Sequence, residues 1–187
     1  MIVSKIRSFI AIEISESVRE KIASLQENLK KHRERISWTK PGNIHLTLKF
    51  LGDIEESKTK SIGESLTTAA KEFQPFNFFV KELGVFPNFR RPRILWVGIN
   101  NPGNELNNIH SKIEQQLNQL GFPKEKKSFN PHLTIGRVKS QVSDQFIERF
   151  KTVKFDGDEV KVAEIIFMKS QIHPKGAIYT PLKKIRL

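Results

Sequence analysis

Two short segments of this chain, Asn43-Ile44-His45-Leu46-Thr47-Leu48 and Asn130-Pro131-His132-Leu133-Thr134-Ile135, repeat one pattern: His, apolar, Thr, apolar. Side chains alternate faces along a β-strand. His45 and Thr47 therefore share one face while Leu46 and Leu48 take the other, and His132 and Thr134 are set against Leu133 and Ile135 in the same way. The aliphatic side needs a core, and the other side presents an imidazole beside a hydroxyl. With 5 His and 8 Thr in 187 residues and a 37% hydrophobic fraction, chance gives about 0.03 such segments. Two of them point to a site with two proton-transfer groups and two oxygen-binding hydroxyls. The plainer alternative is a pair of half-buried strands that happen to hold His and Thr.

Charge adds a partner class. The 32 Lys and Arg against 20 Asp and Glu leave a net charge of +12, a surplus that concentrates polyanions and favours nucleic acid or nucleotides. It is clustered at Lys30, Lys31, Arg33 and Arg35, at Arg90, Arg91 and Arg93, at Lys124, Lys126 and Lys127, and at Lys183, Lys184 and Arg186. Two of these clusters run into the His segments. No cysteine is present, which removes disulfides and thiolate metal sites and suits a reducing compartment. The apolar stretch near the N-terminus is short, interrupted and closed by Glu13, so it reads as a strand rather than a signal or membrane segment. A cytoplasmic, monomeric protein with no membrane partner is expected.

Periodicity interleaves strands and helices along the whole length. Strands are expected over 6–14, 44–51, 76–83, 93–99, 132–138, 160–171 and 177–186, with short extended pieces at 37–39 and near Lys154. Helices are expected over 15–33, 55–73, 104–120 and 143–150, the first with a capping box between Ser17 and Glu20. Gly52-Asp53 is expected to end the first His strand, 84–92 to be a loop, and Gly121 to stop the third helix. His45 and His132 lie 87 residues apart, each followed by a helix and more strands, so the halves read as distant repeats. The expected fold is one α+β unit over 1–187, of two lobes with a site between them.

The chain resembles the two-histidine phosphoesterases, and within them the bacterial and archaeal RNA 2′,3′-cyclic phosphodiesterases, historically called 2′-5′ RNA ligases. The resemblance rests on both His-x-Thr-x motifs and on flanking blocks: Arg7-Ser8-Phe9-Ile10-Ala11-Ile12, Trp38, Lys49-Phe50-Leu51-Gly52, Gly84-Val85-Phe86-Pro87, Pro92-Arg93-Ile94-Leu95-Trp96-Val97-Gly98 and Gly136-Arg137. It implies a bilobal fold with pseudo-two-fold symmetry, antiparallel sheets lining a central cleft and helices outside. It also implies a metal-independent reaction without cofactor. By resemblance, His45 is the acid that protonates the departing 3′ oxygen and His132 the base that activates water. Thr47 and Thr134 would donate to the non-bridging phosphate oxygens.

Other residues are candidates for substrate contact. Lys49 alternates onto the His45 face, as a phosphate contact or simply an exposed strand lysine. Strict alternation turns Arg137 away from His132, a kink at Gly136 would bring it back, and the family tends to be basic here. Phe129, Trp38 and Phe50 suit base stacking or, by default, core packing; Arg90, Arg91 and Arg93 suit an RNA backbone. His32 reads as a solvated helix-end residue, His110 as a boundary residue of the third helix, and His173 as a turn residue. Neither motif carries a carboxylate at ligand spacing, and no His-x-x-x-His pair exists, so no metal site is expected. The rival functions are a non-catalytic RNA-binding module and an esterase of small cyclic nucleotides.

Overall fold

The structure, a computed structural model, describes residues 4–174 and 176–187. The start of the apolar N-terminal stretch, residues 1–3, and Lys175 lie outside the described residues. The elements run β1 (Lys5–Glu13), α1 (Glu16–Lys30), β2 (Ile36–Trp38), β3 (His45–Glu55), α2 (Thr59–Ala70), β4 (Phe76–Phe86), β5 (Ile94–Asn100), α3 (Glu105–Gln119), β6 (His132–Val138), α4 (Asp144–Thr152), β7 (Asp156–Val162), β8 (Glu164–Gln171) and β9 (Ile178–Arg186).

Every strand pairing among the described residues is antiparallel. The strand order is β7-β4-β5-β6-β3-β1-β8-β9, with β2 on the free end of β6. Reading outward from the centre, β6-β5-β4-β7 mirrors β3-β1-β8-β9, which is the pseudo-two-fold the repeated motifs imply. The halves join through one pair, Leu46 with Leu133, the aliphatic residues that follow the two histidines. Only Ala163 separates β7 from β8, although they belong to opposite halves. The sheet must therefore curve to bring those ends together.

The helices pack across the pseudo-axis. α1 follows β1 but lies against β7, while α3 follows β5 but lies against β3 and α2. Val18, Ile22, Leu25 and Leu29 of α1 and Leu106, Ile109, Ile113 and Leu117 of α3 meet Leu46, Leu48, Leu133 and Ile135 in one core. Burying each such side chain stabilises the fold by about 1.5–3 kcal/mol, so both motifs are anchored from behind. The opposite face of the first half carries a separate small cluster of Phe9, Ala11, Ile166 and Met168 with Tyr179 against it.

Several local expectations are corrected. β3 does not end at Gly52-Asp53: the strand carries Leu51 as an extra residue, since Ser8 pairs with Gly52 and Phe9 with Phe50. Gly52 takes φ +70° there, a conformation that glycine adopts without a Cβ penalty. Residues 84–86 are strand rather than loop because Gly84 is a packing glycine; a Cβ there would come within 2.1 Å of the Trp96 ring. The 160–171 run is two strands because the chain changes halves at Ala163. α1 stops at Lys30, and Arg33 turns to φ 57° where the core-facing stripe ends. Its N-cap is Ser15, without a capping box. Gly121 stops α3 at φ +86°, as its spacing indicates.

Candidate active site

Each histidine is seated by its own strand entry. His45 Nδ1–H donates to the Asn43 carbonyl at 2.7 Å, and His132 Nδ1–H donates to the Asn130 carbonyl at 2.7 Å. A carbonyl only accepts, so Nδ1 carries the proton in both rings and Nε2 is left for chemistry. The two Asn-x-His steps thus impose the same tautomer twice.

Aromatic side chains hold the rings from the sides. Phe9 stacks on His45 with centroids 4.8 Å apart, and Tyr179 meets it edge-on at 5.2 Å. Phe86 meets His132 edge-on at 4.9 Å, with Trp96 at 6.3 Å. These walls strip water from the rings. Burial is the main cause that pushes both imidazoles below their ordinary value near 6.5, the carbonyl hydrogen bonds pulling back; the Arg137 charge pushes His132 further down.

Leu46 and Leu133 are 1% and 0% exposed, so the half-buried His45, Thr47, His132 and Thr134 lie on the opposite, cleft face. Extending the Leu46–Leu133 register by one residue sets His45 across from Thr134 and Thr47 across from His132. Among the described residues neither threonine hydroxyl has a protein hydrogen-bond partner. Two imidazoles and two hydroxyls thus converge where the half-sheets meet.

The bulges decide the neighbours. Ala11 pairs with Thr47 and Ile10 with Lys49, which makes Leu48 an extra residue; Trp96 pairs with Thr134 and Leu95 with Gly136, which does the same for Ile135. Alternation inverts after each bulge. Lys49 is therefore not on the His45 face: it is 3% exposed in the core, ion-paired with Glu114 and donating to the Pro123 carbonyl at 3.0 Å. Phe50 takes the cleft position instead, 57% exposed with its ring 5.9 Å from Phe9. In the other half the inversion brings exposed Arg137 onto the cleft side, next to His132.

Phe129 and Trp38 leave the substrate set. Phe129 stacks on His110 at 4.1 Å and 7°, and His110 is buried rather than at a boundary. Trp38 packs against the core, its ring over Gly136. His32 is half-buried against Phe146 rather than solvated. His173 lies in the expected turn, accepting the Gly176 N–H at its carbonyl at 2.9 Å. Arg93 is exposed beside the end of β6 rather than among the histidines, Val138 N–H donating to its carbonyl at 2.9 Å.

Sequence reading placed Phe9, Phe86 and Trp96 in the blocks that carry the resemblance but assigned neither them nor Tyr179 to the site; the four come from four different strands. It also missed Gln26, buried on α1, whose Nε2 donates to the Thr39 and Ile135 carbonyls at 2.8 Å each. The Asn43 and Asn130 carbonyls were findable, as the two motifs share Asn two residues before His. Among the described residues no three His, Cys, Asp or Glu side chains gather to hold a metal, and no helix is long and apolar enough to cross a membrane.

Paired His-x-Thr-x strands facing each other at the pseudo-axis of one antiparallel sheet define a two-histidine phosphoesterase. The chain belongs to the family of LigT-like phosphoesterases, whose model matches it twice, over residues 12–96 and 97–179. Each match holds one motif. It is 38% identical to a Methanocaldococcus jannaschii RNA 2′,3′-cyclic phosphodiesterase, over 95% of this chain and 99% of that one. With the Methanothermobacter thermautotrophicus protein of the same name the identity is 31%, over 98% and 100% of the two chains. Among solved structures, a Thermus thermophilus protein superposes with TM-score 0.83 at 26% identity, covering 97% of each chain. Escherichia coli LigT complexed with 3′-AMP gives TM-score 0.78 at 25% identity, covering 98% of this chain and 99% of that one.

Proposed function

We propose that this chain is an RNA 2′,3′-cyclic phosphodiesterase that opens a terminal cyclic phosphate to a 2′-phosphomonoester. The observation that carries the reading is the pair of imidazoles, each locked with Nδ1–H on an asparagine carbonyl and Nε2 left for the cleft. Opening the ring is an in-line displacement. Water oxygen bonds to phosphorus as the bond from phosphorus to the 3′ oxygen breaks. His132 Nε2 takes the water proton, and His45, entering as imidazolium, gives its Nε2 proton to the departing oxygen. Its Nδ1–H bond to Asn43 supports that cation. Thr47 and Thr134 are free to donate to the non-bridging oxygens as charge builds there.

The same displacement with the 5′-hydroxyl of a second RNA in place of water, His132 taking its proton and His45 protonating the departing 3′ oxygen, joins the two ends through a 2′-5′ bond. The catalyst lowers the barrier in both directions, so it also cleaves that bond back to the cyclic phosphate. Dilute aqueous conditions favour hydrolysis, so ligation is a side activity. Residues 1–187 act as one bilobal unit in this reading, because each half supplies one His and one Thr. A monomer suffices for the same reason, and the cysteine-free sequence suits the cytoplasm.

The test is hydrolysis of a short RNA ending in a 2′,3′-cyclic phosphate, with EDTA present. Wild type releases a 2′-phosphate, while His45→Ala and His132→Ala each lose about 10²–10⁴-fold in kcat, the usual contribution of one acid or base. Turnover indifferent to both substitutions overturns the assignment.

A further inference from the structure

The pseudo-symmetry of the cleft breaks at one pair of equivalent positions. Five residues after each histidine, the inverted strand presents Phe50 in the first half and Arg137 in the second. The first wall continues apolar through Phe9, Met168 and Tyr179. The second continues into charge. Arg137 pairs with Ile94, and the next residue, Val138, donates its N–H to Arg93, on the rim of a groove of about 1000 Å³ between the 87–93 loop and α4.

Arg90, Arg91, Arg93, Lys139 and Lys151 line that groove with Phe89. Of its two carboxylates, Glu148 is paired with Lys151 at 2.8 Å, while Asp144 has no ion-pair partner among the described residues and sits in the first turn of α4, where a negative charge is favoured. Among the described residues no carboxylate pairs with Arg90, Arg91, Arg93 or Lys139. The loop is also held in shape, the Arg90 and Arg91 N–H groups donating to Asn88 Oδ1 at 3.1 and 3.2 Å. A row of unpaired cations on an ordered loop and beside it, next to the end of the strand that carries His132 and Arg137, suits a chain of phosphates.

A 2′,3′-cyclic phosphate is the 3′ end of its strand, so the rest of the RNA leaves the cleft in one direction, through the 5′ oxygen of the terminal ribose. Around His45 the first wall is apolar, with exposed Arg7 beyond Phe9, whereas the second leads to the cluster of four cations. We propose that the RNA upstream of the terminal nucleotide passes Arg137 and lies in this groove, its backbone phosphates on Arg90, Arg91, Arg93 and Lys139. The proposal rests on the phosphodiesterase reading and deepens it: the preferred substrate is a single-stranded oligonucleotide rather than a terminal nucleotide alone.

The experiment compares kcat/KM for a dinucleotide and a hexanucleotide ending in cyclic phosphate. Three proteins are needed: wild type, Arg90→Ala/Arg91→Ala/Lys139→Ala, and a control, Lys58→Ala/Lys60→Ala/Lys71→Ala, with the same charge change beside and on α2. Wild type is expected to favour the hexanucleotide, the control to keep that gain, and the groove variant to lose it while hydrolysing the dinucleotide as wild type does. Single-strand binding falls by about 0.7 log units per phosphate contact for each tenfold rise in salt, so from about 50 to 200 mM salt wild type, with about three more contacts, should lose about 20-fold more hexanucleotide affinity than the groove variant. A groove variant that keeps the length gain, a control that loses it equally, or a wild type without one overturns the proposal. Wild type inert on both oligonucleotides instead refutes the phosphodiesterase reading. Fluorescence anisotropy with a 2′-phosphate hexanucleotide then decides the groove, which falls unless the groove variant alone binds more weakly.

Discussion

Lys49 and Glu114 form an ion pair inside the core, at 3% and 6% exposure. Glu114 also accepts the Glu125 N–H at 2.8 Å, and Lys49 donates to the Pro123 carbonyl at 3.0 Å. The pair thus ties the first motif strand, through α3, to the segment leading into the second motif. Lys49→Met strands the carboxylate, and Glu114→Leu strands the ammonium. Leaving one buried charge unpaired costs about 3–5 kcal/mol, whereas replacing both partners by apolar residues is often neutral or stabilising. The remaining losses in the double variant are the two bonds to backbone, at about 1 kcal/mol each. We therefore expect each single variant to lose about 3–5 kcal/mol, or about 6–20 °C in Tm for a chain this size. The double variant should lie within about 2 kcal/mol of wild type. Urea unfolding of the four proteins measures the cycle. Single variants that cost under about 1 kcal/mol, or a double variant whose loss equals the sum of the singles, would refute a buried, coupled pair.

Gln26→Leu removes the donor to the Ile135 carbonyl at the bulge that turns Arg137 toward the cleft. We expect a loss of about 1–3 kcal/mol in urea unfolding, the cost of leaving a buried acceptor unsatisfied; unchanged stability would show that the bulge holds itself. Both site histidines titrate below the ordinary value near 6.5. The kcat/KM profile should then be a bell centred acid of about 6.5. Arg137→Ala, which removes a charge that lowers His132, should move a limb to higher pH; a limb that stays put would disconnect Arg137 from the base. The same shifts have a stability sign. Between the lowered folded values and about 6.5 the unfolded chain binds more protons, so this contribution is complete above about 6.5 and drains as pH falls below it. Urea melts across that window should show stability rising with pH from these two groups; histidine-free controls that keep the same slope would assign it elsewhere.

The amino-acid sequence by itself determined the geometry of the candidate site at short range. His-x-Thr-x with aliphatic residues between makes a strand with one face in the core, because alternation is a property of the backbone and burial a property of leucine. The repeat of that unit, its Asn two residues upstream and the surplus of cations are equally local. Only the tertiary structure decided what surrounds those residues. Lys49 and Arg137 both exchanged the faces that alternation assigns them, because Leu48 and Ile135 bulge where β1 and β5 pair with one residue fewer. A bulge depends on two strands, and one strand's sequence does not encode its partner's length. The same holds for the aromatic walls of Phe9, Tyr179, Phe86 and Trp96, which lower the histidine pKa values from strands far along the chain. Chemistry was written in neighbours in sequence; its electrostatic setting came from neighbours in space.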